Sequence, residues 1–566
     1  MLLNQASAIL APYVDLAPEE LRARLEIPPE QKLGDVSLPC FPFAKTLRQS
    51  PAVIAQRLAE KINADRDDLR AELAGGYLNL VFSGAHWRSE FVERALSEGF
   101  GRSADGAGRR VVIDMSSPNI AKPFGIGHLR STMIGNALVR LYRAMGYDAY
   151  NVNHIGDWGT QFGKLIVAYL KWGDKQALER APIRESLRLY VEFHRQAELE
   201  PELEDEAREA FAKLERGDAA MRELWRYFVD ESLKEFRRVY ERLGVAFDSY
   251  AGESFYNDKV DPVVRKLEEL SLLEEDAGAR IVRLEEEGMP PCLILKKDGS
   301  TIYAVRDLAT ALYRKEELKA DEILYVVGAE QSLHFQQVFA VLRKMGHEWA
   351  ANCRHVPFGL ITFAGKKMST RKGKVVMLEE VLDEAAERAR RIIDGKNPDL
   401  PNKEEVAEAV GVGAIVFGDL KHHRQLSVDF NLEEAVSFDG ETGPYLQYTH
   451  ARICSLLRRG EYEELRGGRA VDGNHLSAEQ AWACIKTLAG YESAIREAVR
   501  LNEPYAVAKY LLALAKDFNR FYNSGKILGE GADEAEVFSK LSLSAAVAGV
   551  LRDGLNLLGI RAPREM

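Results

Sequence analysis

Residues 116–135 read SSPNIAKPFGIGHLRSTMIG, and the organisation of the whole chain follows from this stretch. An apolar run, Val111-Val112-Ile113, stands before it. A helical pattern follows, with Leu129, Met133, Ile134, Ala137, Leu138, Leu141 and Met145 at helical spacing and Gly146 placed to end it. The loop between them is rich in glycine and polar groups and ends in Gly127-His128. A strand, a glycine-bearing loop and a helix N-terminus together make a site for phosphate. The first-turn N–H groups have no partners inside the helix, and the helix dipole favours negative charge there. The stretch therefore predicts nucleotide chemistry.

Working outward, DAYNVNHI (148–155) reads as the next strand. With RRVVIDM and the intervening helix it makes a βαβ unit, which predicts a parallel sheet with crossover helices. A helical insert follows; its clearest helix lies near 221–243, with Leu224, Phe228, Phe236, Val239 and Leu243 ahead of Gly244. LILKK and TIYAV flank Asp298-Gly299-Ser300, which predicts a hairpin. EILYVVGAEQ, SLHFQQVFAVLRKMG and HVPFGLITFAG read as strand, helix and strand, the second half of the sheet. Residues 1–107 read as a separate α/β domain: Ser50-Pro51 opens a helix, Gly75-Gly76 leads into the strand YLNLVF, and GRSADGAG (101–108) is a linker. From about 380 onward the pattern is helical, interrupted by GRAVDGN (468–474). The expected domains are 1–107; 108–380 with the insert at about 170–290; a helical connector at 381–430; and a helical domain at 431–566.

At 566 residues the chain exceeds one core, and about three or four domains are expected. The composition, 46% hydrophobic and 29% charged, is that of a globular protein. No apolar run approaches the roughly 18 residues that cross a bilayer, so no membrane partner is expected. The N-terminus has no basic region ahead of its apolar residues, unlike a signal peptide, and a cytoplasmic location is expected. The cysteines, Cys40, Cys292, Cys353, Cys454 and Cys484, are odd in number and include no C-x-x-C pair. Neither a protein-bound zinc nor a disulfide framework is expected, only buried thiols in a reducing compartment. A net charge of -11 argues against a non-specific coat on nucleic acid and leaves room for RNA held by local basic patches. The acidic run 200–206 reads as a solvated helical face, and the absence of a heptad pattern makes a monomer the expectation.

Two elements carry chemistry. The first is Asn119, Lys122, Gly127 and His128: a histidine near a helix N-terminus can donate to a phosphate oxygen and stabilise charge that grows in a transition state. The second is GKKMSTRKGK (365–374), with Lys366, Lys367, Arg371 and Lys372 between two glycines and a fifth cation at Lys374. Cations on a loop near the sheet's C-terminal edge suit a triphosphate during transfer. Taken alone, that run reads as a solvated basic loop.

Together the two elements resemble the paired signatures of class I aminoacyl-tRNA synthetases, His-x-Gly-His and Lys-Met-Ser-Lys, the second here Lys367-Met368-Ser369-Thr370. SSPNIAKP (116–123), HIGDWGTQFG (154–163), YAVRDLA (303–309) and GPYLQYTHAR (443–452) are similar to motifs of the arginyl family within that class. The resemblance covers nearly the whole chain. It implies a multidomain α/β protein: a Rossmann-type catalytic domain with a helical insert, an N-terminal α/β tRNA-binding domain and a C-terminal all-helical anticodon-binding domain. It implies an arginine–tRNA ligase that uses ATP and Mg²⁺ as well as tRNA(Arg) and L-arginine. The pattern departs from the family's at Gly125, where the signature has His, and at Thr370, where it has Lys. Lys122, Lys366 and Arg371 are the candidates to replace the lost charge.

Arginine presents a planar guanidinium with five donors, so its pocket needs a carboxylate and an aromatic face. Tyr303 and Asp307 supply both, at i and i+4, if their segment is a helix. A salt bridge from Asp307 to Arg306 is the plainer alternative. The resemblance assigns Tyr303, Asp307 and Gln331 to the arginine side chain. It assigns Ser117, Asn119 and His128 to the amino acid's backbone groups, with Asp114 at the ammonium. It implies Gly125, Gly127, His128, Lys367, Met368 and Ser369 at ATP, and His128, Lys367, Lys122 and Gly127 in catalysis. His154 and Trp158 lie near the adenosine or simply pack, and His334 lines the ATP site or caps its helix. Tyr445, Tyr448, His450, Arg452, Arg458, Arg459, Arg520, Phe521 and Tyr522 form an aromatic and cationic set suited to RNA, with Tyr448, Arg452, Arg459 and Tyr522 foremost. Lys45 and Arg48 are weaker candidates for the tRNA elbow. Two rivals remain: a nucleotidyltransferase that uses no tRNA, and a non-catalytic RNA-binding descendant, supported by Gly125 and Thr370.

Overall fold

The fold is a computed structural model describing residues 1–28, 33–120, 124–297, 299, 301–363, 377–529, 531 and 533–566. In the N-terminal part, α1 (Leu2–Val14) and α2 (Pro51–Asp65) pack on an antiparallel sheet of β1 (Val36–Pro39), β2 (Leu69–Ala74) and β3 (Tyr77–Phe82), in the order β1-β3-β2. Ser50 caps α2 by accepting from the Val53 N–H, and Pro51 follows it at the first helical position. The segment read as a linker is tied down, because Ser103 N–H donates to Ala144 O and Gly106 N–H to Met145 O.

The central sheet has four strands, all parallel: β4 (Arg110–Asp114), β5 (Asp148–Val152), β6 (Glu322–Tyr325) and β7 (Cys353–His355). Their order is β7-β6-β4-β5. Val111 and Ile113 enter one hydrophobic core and Val112 enters another on the opposite face, as the period of two requires. A sheet covered on both faces explains why β4 reads as a continuous apolar run. Between β4 and β5 runs α3 (Leu129–Ala144), followed by Gly146 at φ 82°, as the sequence predicts. Gly135 lets this helix close on the strand, since a Cβ there would meet Met115 Cβ at 2.3 Å. The insert's long helix is α4 (Ala219–Leu243), capped by Asp218 and ended by Gly244 at φ 64°.

Two readings are corrected. TIYAV is not the second strand of a hairpin; Tyr303 opens α5 (Tyr303–Glu316). Its β-branched and aromatic residues favour a strand locally, but Ala304, Val305, Leu308, Ala309 and Ala311 bury at helical spacing against the second core. HVPFGLITFAG is not one strand either. It splits into β7 and β8 (Ile361–Phe363), with Pro357 and Gly359 between, and β8 leaves the main sheet to pair in parallel with β9 (Val428–Phe430). α6 (Ser332–Lys344) joins β6 to β7.

Among the described residues beyond β8, the regular elements are helical apart from β9. Its main helices are α7 (Leu378–Lys396), α8 (Lys403–Leu420), α9 (Gly443–Arg459), α10 (Tyr505–Asn523) and α11 (Glu534–Leu557). Four of the five cysteines are buried, and Cys454 is half-buried. No described helix is long and apolar enough to cross a membrane.

Candidate active site

In an open parallel sheet, ligands bind at the C-terminal strand ends where the strand order reverses. Here the chain leaves β4 for β5 on one side and returns to β6 on the other, so the reversal lies beside Asp114, the last residue of β4. Asp114 Oδ2 lies 2.8 Å from Nη2 of Arg314, a side chain with 0% exposure. The Arg314 guanidinium sits 5.2 Å from the ring centre of Tyr325. Ser117 Oγ donates to Asp114 Oδ1 at 3.0 Å.

The next residues are strained. Ser116 and Ser117 have φ of 71° and 49°, a left-handed conformation that costs a side-chain-bearing residue roughly 1–2 kcal/mol. Hydrogen bonds over-determine it. Ser116 N–H donates to Ser131 Oγ at 2.8 Å, Thr132 Oγ1–H donates to Ser116 Oγ at 2.8 Å, and Ser117 N–H donates to Asn153 Oδ1 at 3.1 Å. The strain turns the chain sharply after β4. The Asn119 loop then docks on the 154–163 loop, where Gly156 N–H donates to Pro118 O at 3.0 Å and Ile120 N–H to Gly156 O at 3.1 Å.

At the start of α3, Gly125 N–H donates to His128 Nδ1 at 3.2 Å. A backbone N–H can only donate, so Nδ1 is the bare nitrogen of the neutral ring and Nε2 carries the hydrogen. Phe124 packs against the ring with centres 5.2 Å apart. Among the described residues a Cβ on Gly127 would meet nothing within 4 Å. Lys122, Lys366, Lys367, Met368, Ser369, Thr370, Arg371, Lys372 and Lys374 lie outside the described residues. The described residues after the Lys-rich run come to this loop: Met377 bridges Gly125, and Leu378 N–H donates to Phe124 O at 2.9 Å.

On α5, Tyr303 is 69% exposed, which leaves its ring open to a ligand. Asp307, one turn on, does not pair with Arg306. Its Oδ2 lies 2.5 Å from Nε2 of His334 in the first turn of α6, and Arg306 meets Glu253 at 3.4 Å instead. Gln331 is exposed in the turn that precedes α6. Burial pushes the Glu253 carboxyl up to about 7, against Arg306 and with help from Asp157 and Asp307. Burial also lowers His154, against the charges of Asp114 and Asp307, which both reach it. His154 stacks near Tyr256 with ring centres 5.5 Å apart, and Trp158 packs edge-on to Phe211 and Trp225 inside the insert.

In the helical part, Tyr448, Arg452 and Arg459 share one face of α9 by helical spacing. The Arg452 guanidinium lies 4.1 Å from the ring centre of Tyr522 on α10, and Lys396 lies 5.1 Å from that of Tyr448. His450 and Arg458 take other partners. His450 Nδ1–H donates to Pro563 O at 2.8 Å and Arg458 pairs with Glu565 at 3.1 Å, while Phe521 is buried. These three are packing and anchoring residues.

Residues 92–432 match the family "tRNA synthetases class I (R), catalytic domain", residues 446–566 the "DALR anticodon binding domain", and residues 2–82 the "Arginyl tRNA synthetase N terminal domain". The chain belongs to the arginyl-tRNA synthetase family. It is 48% identical over 556 residues to the arginine–tRNA ligase of Clostridium perfringens, covering 98% of each chain. It is 46% identical over 566 residues to that of Alkaliphilus metalliredigens, covering 100% of this chain and 99% of the relative. Thermus thermophilus arginyl-tRNA synthetase has the same fold, with a TM-score of 0.84, 27% identity and full coverage of both chains.

Within this arginyl-tRNA synthetase fold, Asp114, Ser117, Asn119, Gly125 and His128 gather around the end of β4, and Tyr303 and Asp307 share α5. Sequence reasoning missed Arg314, Asn153, Glu253, Arg130 and Asp419. The first three act through partners distant in sequence. Arg130 stood in the quoted stretch, yet nothing local marks a buried arginine.

Proposed function

We propose that the chain activates L-arginine with ATP and transfers it to the terminal ribose of tRNA(Arg). A carboxylate oxygen of arginine attacks the α-phosphorus, the bond to the bridging oxygen breaks, and pyrophosphate leaves with the electron pair. The 2′-hydroxyl of the tRNA end then attacks the arginyl carbonyl, its proton passes to solvent, and AMP leaves. The observation that carries the reading is the exposed Tyr303 ring with the Asp307 carboxylate one helical turn away, beside the sheet's switch point.

Asp307 would accept two guanidinium N–H bonds, and Gln331 another. Asp114, already oriented by Arg314 and Ser117, retains lone pairs for the ammonium, with Ser117 and Asn119 beside it. His128 Nε2–H and Lys367 would stabilise charge growing on the phosphates, with Lys122 replacing what Gly125 and Thr370 lack. Gly125, Gly127, Met368 and Ser369 would line the ATP. Among the described residues no group of three or more His, Cys, Asp or Glu side chains could hold a metal ion. Mg²⁺ would therefore arrive on the triphosphate, as that ion commonly does. Tyr448, Arg452, Arg459 and Tyr522 would meet the anticodon loop, and Lys45 and Arg48 the tRNA elbow.

The proposed domains are 1–107, 108–380, 381–430 and 431–566, in a monomer working in the cytoplasm. Arginine-dependent ATP–pyrophosphate exchange, with and without total tRNA and with lysine as control, tests the activity. Exchange with arginine only when tRNA is present is expected. No exchange from a folded, tRNA-binding chain would favour the non-catalytic rival.

A further inference from the structure

Arg130 lies two residues after His128, on the first turn of α3, with side-chain exposure of 1%. Its Nε is 2.8 Å from Oδ1 of Asp419, which is 0% exposed near the C-terminal end of α8. Its Nη1 donates to Gly359 O at 2.8 Å and Leu426 O at 2.7 Å. Those carbonyls belong to the two segments that become β8 and β9: Gly359 N–H donates to Arg424 O, and Val428 N–H to Leu360 O, before the ladder begins at Ile361 and Val428. β8 is the last described element before the Lys-rich signature. One guanidinium therefore joins the helix start behind His128 to the root of that signature.

The middle of α8 reaches α9, which carries the candidate RNA-contact residues. A Cβ on Gly443 of α9 would meet Gly413 O of α8 at 2.6 Å, so the two backbones touch. Gln447 Nε2 donates to Ala409 O at 2.9 Å. On its other side, a Cβ on Gly411 would meet the Ala386 backbone of α7 at 2.5 Å. Contacts without side chains between them transmit a shift without rotamer slack. α9 carries Tyr448 directly after Gln447 and Arg452 five residues after it. A buried ion pair is also a poor source of stability compared with apolar groups of equal volume, so its retention suits a role in geometry.

We propose that Arg130 and Asp419 are positioning residues that couple tRNA on the α9 face to His128 and to β8. The inference rests on the reading of His128 as the phosphate donor. It requires that α8 move or lock as one body, with its C-terminal end delivering the change through Asp419.

Asp419→Asn keeps the shape of the side chain and removes its charge. The expected result is a fall of about tenfold or more in kcat for charging, with KM for tRNA changed by less than about threefold. The stimulation of arginine-dependent exchange by tRNA should fall by the same factor as kcat. The double variant Arg130→Met/Asp419→Leu removes both charges. Its melting temperature should return towards that of the parent while kcat stays low, because neither carbonyl is held. Arg130→Lys keeps the ion pair, gives up the forked reach to both carbonyls, and should also show reduced kcat in a folded chain. Full kcat in either the double variant or Arg130→Lys, or a loss confined to KM for tRNA, overturns the proposal. Absence of exchange in the parent chain would instead sink the reading of the activity, so the two failures are distinct.

Discussion

Nε2 of His334 lies 2.5 Å from Oδ2 of Asp307, and both side chains stay partly open to solvent, at 25% and 22%. The imidazole sits on one carboxylate oxygen, and the exposed Tyr303 lies one helical turn before Asp307 on α5. Asp307→Asn places an amide N–H₂ opposite guanidinium donors. KM for arginine should rise about 100-fold or more, with KM for ATP unchanged. Arginine titrations of pyrophosphate exchange measure this, and an unaltered KM would remove Asp307 from the pocket.

Among the described residues Gly127 has no neighbour where a Cβ would stand, so they make no demand for glycine there. The proposed reason for glycine is close approach of ATP. Gly127→Ala should leave thermal stability within about 0.5 kcal/mol and raise KM for ATP about tenfold. A large loss of stability with unchanged ATP kinetics would reverse that assignment.

Burial raises Glu253 from 4.5 to about 7. The folded chain then binds this proton more tightly than the unfolded chain. Its contribution to stability is whole below about pH 4.5 and falls away as pH rises through 7, by at most on the order of 3 kcal/mol. His154, pushed down by burial, works with the opposite sign as pH falls. Comparing variants isolates the carboxyl: melting temperatures of Glu253→Gln and the parent should diverge in favour of the variant between pH 5 and 8. Parallel curves would show that Glu253 is ionised throughout.

Tyr448 and Arg452 present one face, with Arg452 stacked on Tyr522 at 4.1 Å. Tyr448→Ala and Arg452→Ala should each raise KM for tRNA about five- to tenfold, since stacking is worth roughly 1–3 kcal/mol per base. Arg458→Ala, whose guanidinium is paired to Glu565, should not. Filter binding of tRNA separates the two groups, and equal effects would sink the division.

Some of the site could be read from the sequence because its signals are local. The Val111-Val112-Ile113 run, the helical spacing from Leu129 and the glycines at 146 and 244 act within a few residues, and the structure keeps all of them. Tyr303 and Asp307 share a helix as their spacing requires, although TIYAV itself looked like a strand. That error was one of propensity overridden by burial: five apolar residues of the segment found a core only a helix could fill.

The sequence by itself determined the βαβ unit around the glycine-bearing loop and the helical character beyond residue 380, and the residue types that suit a guanidinium and a triphosphate. Only the tertiary structure decided which partners hold them: Arg314 on Asp114, His334 on Asp307, Asn153 beneath Ser117 and Asp419 on Arg130. It also divided the proposed RNA-contact set, setting Arg452 on Tyr522 and Lys396 by Tyr448 while His450 and Arg458 hold Pro563 and Glu565. Periodicity and capping are written in neighbouring residues, whereas a buried charge needs a counter-charge that only chain crossing brings within hydrogen-bond distance.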